Sequence, residues 1–189
     1  MKVSREQAAQ NRARVVEVAA RLFREKGFDG IGVADLMKSA GLTHGGFYGQ
    51  FASKEDLLAE ACELALQDSV EKWKKIAAKS PEQPVAAIAS RYLSAAHRDN
   101  PGLGCAMTSL GADVARVGPE ARQALSAGAQ AQIALLATLE PGDDAPARRR
   151  QAIADYAAMI GGVVLARVMA DPQQSEEVLA AVVAALQRR

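Results

Sequence analysis

Aromatic residues are scarce in this chain: four Phe, three Tyr and one Trp, 4% of 189 residues. β-branched runs are scarce too, and alanine is abundant. That composition favours helices packed closely on small side chains. Cysteine is nearly absent. Cys62 and Cys105 stand alone, with no CxxC pair and no Cys/His group at metal-ligand spacing. A disulfide framework and a structural metal are therefore not expected, and neither is a cofactor. No window reaches about 18 uninterrupted apolar residues, so no membrane span is expected. The opening MKVSREQAAQNRARVVEVAA lacks the apolar stretch of a signal peptide. The expected setting is reducing and cytoplasmic.

Net charge is nearly absent as well, at +1. Its distribution is uneven. Residues 1–54 hold nine Lys/Arg against five Asp/Glu, and the rest hold 14 against 17. A basic first third on a slightly acidic body suits a protein that meets phosphate at one end. With 49% apolar and 24% charged residues, the chain has the composition of a folded protein.

Helical periodicity then divides the chain. Residues 5–26 form the first predicted helix, apolar at Val15, Val16, Ala19, Leu22 and Phe23, with a solvated arginine face. Gly27 closes it and Phe28 supplies the contact beyond. A short helix follows from Val33 to Ala40, with Gly32 at its N-cap. Gly41 makes the turn. Thr43 is placed to cap a third helix, His44 to about Gly49, which holds the poor helix formers Gly45 and Gly46. A packing helix gains nothing from those glycines, whereas a helix that brings its backbone close to a ligand does. Ser53 and Asp56 form a variant capping box for a fourth helix reaching Ala78. Further helices are predicted over 85–98, 103–116, 120–139, 147–170 and 175–188, separated by Pro/Gly breaks.

Residues 27–58 read GFDGIGVADLMKSAGLTHGGFYGQFASKEDLL. A short helix, a glycine turn and a second short helix make a helix-turn-helix. Gly27-Phe28, Val33-Ala34-Asp35-Leu36, Ala40-Gly41-Leu42-Thr43, Tyr48 with Phe51, Ser53-Lys54-Glu55 and Leu57-Leu58 resemble the TetR family of regulators. The close resemblance covers residues 10–60. Gly32 and Gly46 depart from it, standing where that family commonly has Ser or Thr.

The resemblance implies an all-α fold: an N-terminal three-helix DNA-binding domain over 1–55, joined to a larger helical effector-binding and dimerisation domain over 56–189. It implies a homodimer built on the last two helices, on a palindromic double-stranded DNA operator. Residue chemistry assigns the contacts. Thr43, His44, Tyr48 and Lys54 reach phosphate or base edges, and Gly45 and Gly46 allow close approach. Arg5 and Arg12 either reach the backbone from the flank or remain solvated. Val33, Leu36, Phe47 and Phe51 are core.

The sensor has two readings. Cys105, preceded by glycine at a helix start, resembles the Gly-Cys stretch of a TetR branch in which some members sense electrophiles; the alternative is a small buried hydrophobe. Cys62 is core. For a bound effector, Leu66, Trp73, Tyr92, Met107, Leu110, Tyr156 and Met159 are the pocket candidates or else ordinary packing, and their low polarity points to an apolar ligand. The function expected is a repressor released from its operator by a small apolar or electrophilic effector. The alternatives are a helical adaptor without DNA recognition and a thiol enzyme using Cys105 with His97. No acid–base constellation supports the enzyme.

Overall fold

The structure is a computed structural model that describes residues 4–187. All regular elements among them are helical. Residues 1–3 and 188–189, at the outer ends of the two expected domains, lie outside the described residues, so the last helix is followed to Gln187 and not to the expected Arg188.

Helix α1, Arg5–Lys26, begins where the Ser4 hydroxyl accepts the Gln7 N–H at 3.1 Å. It ends because Gly27 turns to φ 76°, a conformation that strains any side chain, and donates its N–H to Phe23 O. Phe28 is buried against Phe23, at 5.9 Å between ring centroids. Helix α2, Val33–Ser39, sets Leu36 and Met37 into the same core. Helix α3, Lys54–Lys79, runs about 39 Å at 1.5 Å per residue. Its first turn packs under α1, and its remainder is the spine of the body. The expected domain boundary at residue 55 falls inside that first turn, within one unbroken helix. Ser53 Oγ accepts the Asp56 N–H, while Asp56 accepts from Ala52 N, one residue before the position of the usual capping box.

The body is built on α3 by α4 (Pro84–Tyr92), α5 (Ala95–Asp99), α6 (Ala106–Val117), α7 (Pro119–Leu139), α8 (Ala145–Val168) and α9 (Pro172–Gln187). Gly128 lets α7 lie flat on α3, since a Cβ there would stand 2.2 Å from Leu66 Cδ1. Gly162 does the same for α8: its Cβ would stand 2.7 Å from Leu93 Cδ2 and 3.3 Å from Val182 Cγ2. The propensity lost at that glycine is offset by close packing. Gly161 faces open space.

Two expected helices are divided differently. The helix over 85–98 breaks at Leu93–Ser94, because the Ser94 hydroxyl accepts the His97 N–H and starts α5 as a new N-cap. The helix expected from Leu103 starts at Ala106; Pro101–Leu103 form a separate 3₁₀ turn and Cys105 takes the N-cap position. Helices α8 and α9 each begin two or three residues early, with a proline in the first turn, where its missing N–H costs nothing.

Helix α8 is long and apolar enough, by length and hydropathy, to cross a membrane, which the test for an unbroken apolar run did not indicate. Its inner side nevertheless packs on α7 and α9, with Asp155 buried. Its outer side exposes Ile153, Val164, Leu165 and Val168, most of the exposed large apolar side chains among the described residues.

Candidate DNA-binding face and effector cavity

The helix-turn-helix brings Thr43, His44, Gly45 and Tyr48 to one exposed turn. Tyr48 is 67% exposed although it is large and aromatic. The turn is anchored from behind by Phe47 and Phe51, both buried, with ring centroids 5.4 Å apart. His44 meets the Tyr48 ring edge-on at 6.0 Å. Gly46 packs on Met37 and is half-buried, so Gly45 is the glycine that opens the surface. Gln50, absent from the sequence reading, donates to Gly46 O at 3.0 Å and ties the turn to the next residues.

Three expectations for this face need correction. The segment from His44 is a three-residue 3₁₀ turn, and the Thr43 side chain makes no capping bond. So short a turn aligns too few peptide dipoles to attract phosphate, which leaves that task to side chains. Lys54 is already engaged: its ammonium donates to Phe28 O at 2.5 Å and lies 4.2 Å from the Phe28 ring centroid. It braces α3 against the end of α1. Arg12 is likewise held in a bidentate pair with Glu60 at 2.6 and 2.5 Å, which raises its pKa, and lies over Phe51. Arg5 remains exposed.

The second feature is an open-mouthed cavity of about 610 Å³ bounded by α1, α3, α4, α5 and the segment leading to Cys105. Of the effector-pocket candidates, Trp73, Tyr92 and Cys105 line it. Leu66, Met107, Leu110, Tyr156 and Met159 do not. Leu66, Leu110, Tyr156 and Met159 are buried in the core, and Met107 is half-buried against it. Tyr156 stands directly behind the wall: its ring meets Trp73 edge-on at 5.7 Å, its hydroxyl lies 3.8 Å from Cys105 Sγ, and it donates to Gln132, which donates to Ser69 on the lining. Burial holds the Tyr156 phenol well above its ordinary pKa.

The lining is also more polar than expected. Arg24, Lys72, Lys75, Arg91 and His97 all reach it. The sequence pattern places Arg24 on the solvated face of α1, but its Nη1 donates to Gly104 O at 2.9 Å, beside Cys105. Nearby, Phe28 N donates to Asp113 Oδ2 at 3.0 Å, and Glu25 packs on Gly102. The end of α1 is thus fastened to the body at three points, of which Gly104 lies on the cavity wall. Only the location of Arg24 in the last turn of α1, before the Gly-Phe closure, hints at this in the sequence.

Cys105 is buried at the mouth of α6. Its N–H donates to His97 Nε2 at 2.9 Å, and His97 Nδ1 donates to Tyr92 O at 2.7 Å. Both His97 nitrogens are committed to the backbone, and Cys105 Sγ faces Tyr156 and not an imidazole. Burial, Arg167 and Arg24 lower the His97 pKa. Arg167 steadies the same corner by donating to Arg98 O and His97 O at 3.0 Å each. Cys62 is sealed in the core, and burial raises its thiol pKa to about 12.

Residues 15–61 match the family model described as bacterial regulatory proteins, tetR family. The HTH-type transcriptional regulator AcrR of Shigella flexneri is 31% identical over 85 residues, 45% of this chain and 40% of that protein. The HTH-type transcriptional regulator YerO of Bacillus subtilis is 30% identical over 90 residues, 48% of this chain and 31% of that protein. The chain therefore matches less than half the length of these relatives. Similarity of fold extends further. The crystal structure of E. coli NemR in its reduced form superposes with a TM-score of 0.77 at 24% identity, covering 95% of this chain and 96% of that one. A TetR regulator from Chloroflexus aurantiacus superposes with a TM-score of 0.78 at 24% identity, over 97% and 98%.

Proposed function

We propose, from the match of residues 15–61 to the tetR family model and from a fold shared with regulators of that family, that this chain is a TetR-like cytoplasmic homodimeric repressor that leaves a palindromic operator when a small effector enters the cavity. The observation that carries the DNA reading is the exposed turn Thr43–Tyr48, held out by buried Phe47 and Phe51. An exposed Tyr beside an exposed His, a hydroxyl and an open glycine is a costly surface for any other use. Tyr48 and Thr43 serve phosphate, His44 a base edge or phosphate, and Gly45 admits the backbone to the groove. Lys54 acts as a positioning residue. Residues 1–55 act as the DNA-binding unit and 56–189 as the effector and dimer unit.

The effector acts because α1 carries Arg24 into the cavity wall. An occupant that disturbs the Arg24–Gly104 contact shifts α1 and the first turn of α3, and with them the separation of the two recognition turns. That separation must match half-sites roughly 34–36 Å apart. Cys105 lines the same cavity, which favours a second mode of action: its thiol adds across the activated double bond of an entering electrophile, the sulfur taking one carbon and the thiol proton ending on the other. A Cys105–His97 enzyme gains no support, because His97 spends both nitrogens on the backbone. An adaptor without DNA binding leaves Tyr48 unexplained.

Binding to duplex DNA, from the chain's own upstream region and from random-sequence selection, tests the reading. Sequence-preferring binding that weakens as salt rises is expected. Tyr48→Phe removes one phosphate hydrogen bond, and about a tenfold loss of affinity is expected for about 1.4 kcal/mol. Absence of any selected sequence would abandon DNA recognition in favour of the adaptor.

A further inference from the structure

The cavity carries a charge pattern that its apolar floor conceals. Trp73, Ile76 and Ile88 give it an aromatic and aliphatic base. Around them stand Arg24, Lys72, Lys75 and Arg91, and no aspartate or glutamate is among the described lining residues. None of these four cations forms an ion pair with a described carboxylate. Lys72, Lys75 and Arg91 are exposed at the rim, while Arg24 is half-buried.

Two hydrogen-bond donors on residues that line this cavity, Arg24 Nε and the Tyr92 hydroxyl, lack an oxygen or nitrogen acceptor. Arg24 uses Nη1 on Gly104 O, but its buried Nε has no partner. The buried Tyr92 hydroxyl meets no oxygen or nitrogen acceptor; its polar neighbour is the Cys105 sulfur, a weak one. Glu25 does not relieve Arg24, since its carboxylate is bound by Arg21 at 3.2 Å. Burial accordingly lowers the Arg24 pKa, with Cys105, Asp68, Cys62 and Glu25 compensating only through space. A half-buried guanidinium whose Nε has no acceptor, and a buried hydroxyl whose polar neighbour is only a sulfur, are matched by a group that only accepts.

We propose that the cavity binds an anionic amphiphile, a small carboxylate whose head is held by Arg24 and the Tyr92 hydroxyl and whose apolar body lies on Trp73. The proposal rests on the cavity being the effector site, and it replaces the neutral apolar ligand expected from sequence. A volume of about 610 Å³ suits a small molecule and not a polymer. The rim cations raise the local concentration of such anions. Because Arg24 belongs to α1, the carboxylate competes with Gly104 O for the guanidinium and loosens the DNA-binding end from the cavity wall.

Trp73 is the sole tryptophan, so its emission reports directly on the cavity. The full chain is titrated without DNA, using decanoate and its uncharged isostere decanamide. Decanoate is expected to change Trp73 emission saturably, with at least tenfold tighter binding than decanamide. Tyr92→Phe, which removes only a hydroxyl, is expected to weaken decanoate and spare decanamide. Arg24→Met is expected to abolish the preference. Failure of decanoate to bind, equal affinity for both probes, or an intact preference in Tyr92→Phe and in a folded Arg24→Met overturns the proposal. DNA affinity is then measured with decanoate present. Tight decanoate binding without DNA release upholds the anion site and removes the effector reading; sequence-preferring DNA binding without decanoate binding overturns the anion site and leaves the DNA reading standing.

Discussion

His97 shows how a single side chain can hold a corner together without entering the chemistry. It joins the end of α4, through Tyr92 O, to the start of α6, through Cys105 N. Both bonds require the neutral ring with its proton on Nδ1; a proton on Nε2 would set a donor against the Cys105 N–H. Burial lowers the folded-state pKa below the unfolded value near 6.5. The stability contributed is therefore complete above about pH 6.5 and is lost as pH falls through the lower, folded value. Melting temperature is expected to be flat above neutrality and to decline in mild acid. His97→Gln keeps an acceptor for Cys105 but cannot titrate; it should melt lower at neutral pH and lose most of that mild-acid slope. An equal slope in the variant would remove His97 as its source. The sequence singled out Cys105 and Trp73 but gave His97 no structural task, because its partners are backbone groups brought together only when the predicted helix over 85–98 breaks at Ser94.

The same limit acts on whole elements. Helix α1 and its glycine closure were legible because the apolar spacing and the cap agree. The segment after Thr43 is expected as a helix to about Gly49 and is a 3₁₀ turn over His44–Gly46. Gly45, Gly46 and Gly49 withhold about 1 kcal/mol each of helix propensity, and Phe47 and Phe51 fix the turn from one side only. A conservative test separates folding from recognition here. A Cβ on Gly45 meets nothing within 4 Å, and Gly45 does not take a positive φ. Gly45→Ala is expected to leave the melting temperature unchanged or to raise it slightly, for a gain below about 1 kcal/mol. DNA affinity is nevertheless expected to fall, because the methyl group stands between backbone and groove. Equal or tighter DNA binding by the alanine variant would show that the glycine serves no close approach. The bracing of α3 by Lys54 was hidden for another reason: a lysine in a basic segment reads as a phosphate contact until its distance to Phe28 O is known.

At the scale of the whole molecule, the outer face of α8 is unaccounted for within one chain. Ile153, Val164, Leu165 and Val168 lie along it, with Ala157 and Gly161 between them, and Ala180, Ala181 and Ala185 are exposed on the adjoining α9. The surplus of apolar positions on the last two helices was visible in the sequence, but which side faces outward depends on how Gly162 seats α8 on Leu93 and Val182. An apolar face this continuous is a liability on a lone chain, and the small residues allow two helices to approach closely. A two-fold axis would place each residue against the same patch of a second copy. Leu165→Glu introduces a charge at a position 47% exposed in the single chain, so the fold itself should tolerate it. In a dimer the charge is buried twice, and each copy lacks a partner. Sedimentation is expected to shift from dimer to monomer while helical content is kept. Operator binding should fall steeply with it, since a monomer contacts one half-site. A variant that sediments as a dimer would remove α8 from the interface and leave its apolar face to another use.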